Sequence, residues 1–279
     1  MMAYEKNKLN STIIVSVYKD AVALKLIVDA LLKQTTNDFE VIISEDGLSN
    51  IIKDCVDSFS QSGLDIQHLT QEDDGFRKNI ALNRAIKSSN TEHLIFIDGD
   101  CVPHPAFIEA HQQYASPGIA STGRRLELGE TISNDLRNGA KRFNRLTNRL
   151  SYLLNIPALL YDRAKNIESG TYSKILHALT KEKEIRLLGC NFSCNKNDLL
   201  KINGFNEDYL SPGIGEDSDI DWRLVKSGVK IMNVKFSAIQ YHLDHPRTYS
   251  VSEKNKELLE QTIKSGNCIC SNGINKLQI

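Results

Sequence analysis

A doubly wound, mostly parallel α/β sheet is the fold class that this 279-residue sequence predicts. Strand-like and helix-like runs alternate through the first half, as repeated strand-helix-strand units require. Acidic and polar residues follow one strand-like run after another, and in such sheets ligands bind beyond the carboxyl ends of the strands. The composition, 41% hydrophobic and 25% charged, is that of an ordinary globular protein.

Thr12 to Val17 is a β-branched run followed by Tyr18 and Asp20. Leu24, Ile27, Val28 and Leu31 repeat at helical spacing between Val22 and Leu32. Phe39 to Ser44 reads as a strand ending in Glu45-Asp46-Gly47, and Ile51 to Phe59 suits a helix. Ile66 to Leu69 is a short strand before Glu72-Asp73-Asp74, and Phe76 to Lys87 suits a helix. His93 to Ile97 is an apolar run that ends in Asp98-Gly99-Asp100. Two carboxylates this close repel each other, and a divalent cation carrying a diphosphate neutralises both. An acidic turn is the plainer alternative, since Asp-Gly is a common turn pair.

Between Asp135 and Asn166 the texture turns basic. Phe143, Leu146, Leu150 and Leu153 recur at helical intervals, with Arg142, Arg145 and Arg149 on a neighbouring face. Such a helix either lies on an anionic membrane surface or packs by its Leu/Phe stripe. The apolar run from Leu150 to Tyr161, broken by Asn155 and Pro157, is too short to span a bilayer. Leu188 to Ser193 reads as extended, and a short helix starts at Asn197. Gly213-Ile214-Gly215 leads into an acidic helix start with Glu216, Asp217, Asp219 and Asp221, more acids than capping requires. Ile239 to His242 is a strand ending on a histidine, with His245 close behind; His242 is a plausible partner for a metal-binding carboxylate.

The formal net charge of -1 argues against nucleic acid as a partner. Met1 to Asn10 lacks the apolar core of a signal peptide. The six cysteines form no paired CxxC set and read as free thiols in a reducing cytosol. The expected location is therefore cytoplasmic, with Arg142, Arg145 and Arg149 offering contact to the inner face of the membrane.

Seven segments occur in a telling order: Val15-Ser16-Val17-Tyr18, Ser44-Glu45-Asp46-Gly47, Gln71 to Arg77, Phe96 to Asp100, Gly189 to Ser193, Gly215-Glu216-Asp217 and Tyr241-His242. Together they resemble the family 2 inverting glycosyltransferases of GT-A fold, especially chondroitin-polymerase-type enzymes and those with the galactosyltransferase C-terminal motif. The resemblance implies a single domain over 1–279. It would comprise a nucleotide-sugar-binding half (1–125), a basic helical insert (135–186), an acceptor and catalytic half (187–250), and a C-terminal helix and tail (251–279). It also implies a UDP-sugar donor, a glycan or lipid-linked saccharide acceptor, and Mn2+ or Mg2+ as cofactor. Ser16, Val17, Tyr18 and Asp46 would then hold the nucleobase side, and Arg77, Asp98 and Gly99 the ribose, diphosphate or sugar. Asp100 and His242 would bind the metal. Asp217 would be the general base, with Glu216, Asn191 and Trp222 on the acceptor; Arg124, Asn191 and Trp222 are candidates to read the sugar's hydroxyls. The first motif departs from the family pattern, because Lys19-Asp20 follow the tyrosine and the usual Pro and Asn are absent.

The chemistry is coherent without the family. An acceptor hydroxyl is a poor nucleophile and needs a carboxylate to take its proton. A nucleoside diphosphate leaving group needs its charge stabilised by a metal. Two other classes compete. A nucleotidyltransferase would need a Gly-rich phosphate loop, and Val15 to Asp20 has no glycine. A carbohydrate- or membrane-binding module without catalysis would be built around the basic segment.

Overall fold

The computed structural model describes residues 10–139, 143–213, 215–246 and 252–276. The strands are β1 (Ser11–Val17), β2 (Phe39–Glu45), β3 (Asp65–Leu69), β4 (His93–Asp98), β5 (Cys101–Pro103), β6 (Ile119–Thr122), β7 (Arg124–Glu127), β8 (Asn191–Asn195), β9 (Lys230–Asn233) and β10 (Ile239–His242). The helices are α1 (Ala21–Leu31), α2 (Asn50–Asp57), α3 (Lys78–Ser88), α4 (Phe107–Gln112), α5 (Glu130–Arg137), α6 (Phe143–Thr147), α7 (Arg149–Tyr161), α8 (Lys174–Thr180), α9 (Lys196–Lys201), α10 (Glu216–Lys226) and α11 (Glu253–Ser265). Every first-half element read from the sequence forms, with its ends displaced by no more than two residues.

Seven strands make one sheet in the order β3-β2-β1-β4-β8-β6-β9, and β5-β10-β7 make a second. In the large sheet β8 alone runs against the others. Both faces are covered, which is why the central strands are continuous apolar runs and do not alternate. Ile13, Val15, Ile43 and Ile95 enter one core with Leu24 and Ile27 of α1. Ile14, Ile42, Leu94 and Phe96 enter the other with Leu82 of α3 and Ile220 of α10.

Register builds the site edge. Ser16 pairs with Asp98, Val17 with Glu45, and Ile97 with Asn191. The chain entering antiparallel β8 therefore arrives where β4 ends, and brings Gly189 and Cys190 to the same edge. In the small sheet His242 lies opposite Cys101, and the Leu243 N–H donates to the Asp100 carbonyl at 2.9 Å.

The basic segment does not form the single amphipathic helix expected of it. Asn148 ends the first helix and caps the second, its side chain accepting from the Ser151 N–H at 3.1 Å. Leu146 is buried, but Leu150 and Leu153 are 68% and 47% exposed, so the stripe breaks at the cap. Arg142 lies outside the described residues. The helix α7 runs on through Pro157, which costs one backbone hydrogen bond and does not end it. Among the described residues no helix is long and apolar enough to cross a membrane. All six cysteines are free thiols.

The four acids of the α10 start divide their work. Asp221 accepts from the Leu187 N–H at 2.9 Å and pairs with Arg186 at 3.0 Å. Asp219 is buried against Arg223, with Nε at 2.7 Å. Arg223 in turn donates to the carbonyls of Ile202 and Gly204 at 2.9 and 2.8 Å, fixing α10 to the turn after α9. Glu216 and Asp217 are left to face the sheet edge. Removing one partner of a buried pair strands the other's charge, so Asp219→Ala should lower unfolding free energy by about 3 kcal/mol or more. Urea denaturation measures this, and an unchanged midpoint would show that the pair does not anchor α10.

Candidate active site

A cleft of about 610 Å3 opens at the strand ends, lined by Ser16, Val17, Tyr18, Asp46, Asp98, Gly99 and Asp100, with Lys78 and His245 facing them. Gly99 has no alternative there: a Cβ would stand 2.7 Å from the Ser16 carbonyl oxygen. Asp46 is fixed by the Gln71 side-chain amide and the Arg77 backbone N–H, both at 2.7 Å. Each carboxylate oxygen keeps a free lone pair for an N–H donor from the cleft. The Arg77 guanidinium turns instead to the Glu72 carbonyl and to Asp74, 3.5 Å away. The cation that reaches into the cleft is its neighbour Lys78.

Lys78 joins the two halves of the chain. Its Nζ lies 2.9 Å from Asp98 Oδ1 and 3.4 Å from Glu216 Oε1. Burial alone would lower the ammonium's pKa, but Asp98, Glu216 and Asp217 together hold it well above the ordinary lysine value. Burial, with Asp217 and Asp98 adding and Lys78 opposing, pushes the Glu216 carboxyl up to about 7. Glu216 Oε2 is buried with no hydrogen-bond partner among the described residues. Asp217 is also raised, by burial first and by Asp98, against Lys78 and the Gly189 N–H. That N–H donates to Asp217 Oδ2 at 3.0 Å, and a Cβ on Gly189 would lie 2.0 Å from Oδ1.

Asp100, His242 and His245 form a second cluster, one ligand atom from each lying within 4.8 Å of the others. Asp100 Oδ2 stands 3.4 Å from His242 Nε2 and 3.1 Å from His245 Nε2. Burial raises the Asp100 carboxyl, but hydrogen bonds from the two imidazoles outweigh it and hold the group well below the usual carboxylate range. One carboxylate and two imidazoles converging on a point is a donor set that fits a divalent transition-metal ion.

The structure gives other expected residues different work. Asn191 is 0% exposed. Its Oδ1 meets His111 Nε2 at 3.1 Å and the Gly123 N–H at 3.2 Å, and its amide donates to the carbonyls of Arg124 and Ala238, both at 3.0 Å. Its acceptor-contacting role gives way to a structural one, because no polar atom is left for a ligand. Arg124 is tied to the Gly123 and Arg186 carbonyls. Trp222 is half-buried on α10, about 140° around the axis from Asp217. Asp20 caps α1 and pairs with Arg137, and Asp73 pairs with Lys19. Lys78 carried no sequence signal of its own, Gly189 opened a motif segment without a role assigned to it, and His245 showed only its closeness to His242.

The raised Glu216 pKa has a stability consequence. The folded chain holds this proton more tightly than the unfolded one, whose carboxyl keeps an ordinary 4.5. The contribution favours folding below 4.5 and is lost as the pH rises through about 7. Glu216→Gln should therefore be more stable than the parent at pH 8, on the order of 2 kcal/mol, with the gap closing toward pH 5. Urea unfolding of both proteins at the two pH values checks this; a gap that does not widen with pH removes Glu216 as the strained acid.

Residues 12–163 match the family described as glycosyl transferase family 2, and residues 174–246 match the one described as N-terminal domain of galactosyltransferase. Validoxylamine A glucosyltransferase of Streptomyces hygroscopicus subsp. jinggangensis is 24% identical over 247 residues, covering 86% of this chain and 57% of that one. Chondroitin synthase of Escherichia coli is 23% identical over 249 residues, covering 84% of this chain and 35% of that one. The chain thus spans only part of the length of both relatives. Among solved structures, S. aureus TarS 1–349 in complex with UDP aligns with a TM-score of 0.61 at 14% identity, over 92% of this chain and 65% of that one. The mannosyltransferase PcManGT of Pyrobaculum calidifontis, in complex with GDP-Man and Mn2+, aligns with a TM-score of 0.56 at 14% identity, over 94% and 70%. With more than half its length matched, and a GT-A sheet to carry the motifs, the chain belongs to glycosyltransferase family 2.

Proposed function

We propose that this chain transfers a sugar from a UDP-sugar to a hydroxyl of a glycan or lipid-linked saccharide, with inversion and with Asp217 as the base. The observation that carries the reading is the pairing of two separate clusters at one sheet edge, Asp217 with Glu216 and Lys78, and Asp100 with the two histidines. A single displacement needs both, one to take a proton and one to receive the leaving diphosphate.

The residues divide the task. Asp217, its pKa raised, accepts the acceptor's proton on the oxygen that the Gly189 N–H leaves free. Glu216 offers its unpartnered oxygen to the acceptor sugar. Lys78 keeps Asp98 and Glu216 oriented and supplies positive charge beside the donor. Asp46 takes a nucleobase imide N–H, with Ser16, Val17 and Tyr18 along the base. Asp100, His242 and His245 would hold the divalent ion, which when bound offsets the diphosphate charge. Two imidazoles favour Mn2+ over Mg2+, which prefers an all-oxygen shell.

Asp217→Asn should lower transfer and donor hydrolysis by about 10²- to 10⁴-fold while leaving UDP binding in place. Assays with a UDP-sugar panel and Mn2+, beside UDP titrations with and without the ion, measure both. Equal turnover in the variant removes Asp217 as base. Equal UDP affinity without Mn2+, or after His245→Ala, removes the metal cluster from donor binding. Tighter binding of GDP than UDP overturns the uridine preference.

A further inference from the structure

The helix α7 is apolar on its inner and its outer face. Tyr152 and Leu159 are buried against the body, yet Leu150, Leu154, Leu160 and Tyr161 face outward, Leu154 and Tyr161 at 75% and 92% exposure. A helix that is apolar all round belongs in an interior, and an exposed patch of this kind marks a contact surface. The neighbouring α8 adds Ile175 and Leu179, also exposed. Between the two helices lies a cavity of about 280 Å3, lined by Leu153, Tyr172, Ile175 and Leu176 among others.

Charge identifies the occupant. The described residues 143–165 carry Arg145, Arg149, Arg163 and Lys165, all exposed, against a single acid. That acid, Asp162, is turned inward to cap α5, accepting from the Thr131 and Ile132 N–H groups at 3.0 and 2.9 Å. The apolar face is thus bracketed by cations at both helix ends. A second copy docked there by two-fold symmetry would set like charges against like. An anionic bilayer answers both features, apolar side chains entering the acyl boundary and the arginines meeting headgroup phosphates.

We infer that α7 and α8 form a monotopic insertion surface for an anionic membrane, with insertion by Leu150, Leu154, Tyr161 and Ile175 and not by an arginine stripe alone. The surface leads toward the chemistry. Tyr161, Arg163 and Lys165 line a polar cleft of about 540 Å3 together with His242 and His245, with Glu127, Glu130, Asp162 and Asp244 on its other walls. Docked this way, the chain presents its metal cluster to the headgroup layer, where a lipid-linked acceptor carries its sugar; this last step rests on the transfer reading.

The test is co-sedimentation of the full chain with vesicles of mixed phosphatidylglycerol and phosphatidylcholine, and of phosphatidylcholine alone. The inference expects binding to the mixed vesicles, weakened by salt, and a fall of about tenfold in affinity for Leu150→Glu with Leu154→Glu. Arg149→Glu should fall less and lose its effect at high salt. A UDP titration unchanged in the leucine variant separates this surface from donor binding, so either reading can fail alone. Equal binding by the leucine variant overturns the inference, as does no binding to either vesicle. A self-association of the parent that the leucine variant abolishes, without vesicle binding, gives the face to a second copy.

Discussion

Lys78 sits where three carboxylates from two elements meet, and the arrangement of the site depends on that ammonium. Asp98 arrives from β4, and Glu216 and Asp217 arrive on the first turn of α10. Without a cation between them, these acids would repel each other in a half-buried edge where water screens poorly. One lysine cannot neutralise three acids; burial first, and the neighbouring acids second, raise Glu216 and Asp217 against its pull. The fold holds the imbalance by other means. The positive end of α10 faces its own first-turn acids, the Gly189 N–H takes one Asp217 oxygen, and Asp219 with Arg223 anchors the helix behind them. A compact ammonium suits this position better than a planar guanidinium, since it can serve carboxylates on different sides.

Strand register does for the cluster of Asp100, His242 and His245 what Lys78 does for the acids. The antiparallel pairing of β10 with β5 sets His242 opposite Cys101, one residue past Asp100. The Leu243 N–H then locks the Asp100 carbonyl, and the Asp100 carboxylate converges with the two imidazoles. Among the acids around Lys78, Asp98 ends β4 of the large sheet and Glu216 and Asp217 begin α10, whereas His242 ends β10 of the small sheet and His245 lies three residues beyond it. The Lys78 cluster and the Asp100 cluster are thus held largely by different elements, so neither has to move to accommodate the other.

Much of this was legible in the chain. Doubly buried strands leave continuous apolar runs, so β1, β2 and β4 and the polar residues after them stand out in the sequence. Asp98, Asp100 and His242 stand out because charge at the end of such a run is conspicuous, and Asp217 because four acids crowd one helix start. Other parts leave no local trace. Lys78 opens an amphipathic helix, where a lysine is unremarkable, and its meeting with Glu216 is a contact across 138 positions. Asn191 lies among motif residues, but its polar atoms are consumed by partners from three other segments, which only the folded sheet brings together. The basic segment misleads because hydrophobic spacing continues across Asn148, while a cap is set by backbone geometry at one residue.

The two oxygens of Asp217 show how such long-range contacts become chemistry. An aspartate free to rotate would spend much of its time away from an acceptor hydroxyl, and the entropy of orienting it would fall on the reaction. Here the chain entering β8 supplies one N–H, and the absence of a side chain at Gly189 leaves the carboxylate just enough room to take it. One oxygen is held and the other stays open. The sheet that directs β8 to the end of β4 thereby sets the aim of Asp217, the base we propose, on a helix 28 residues further on.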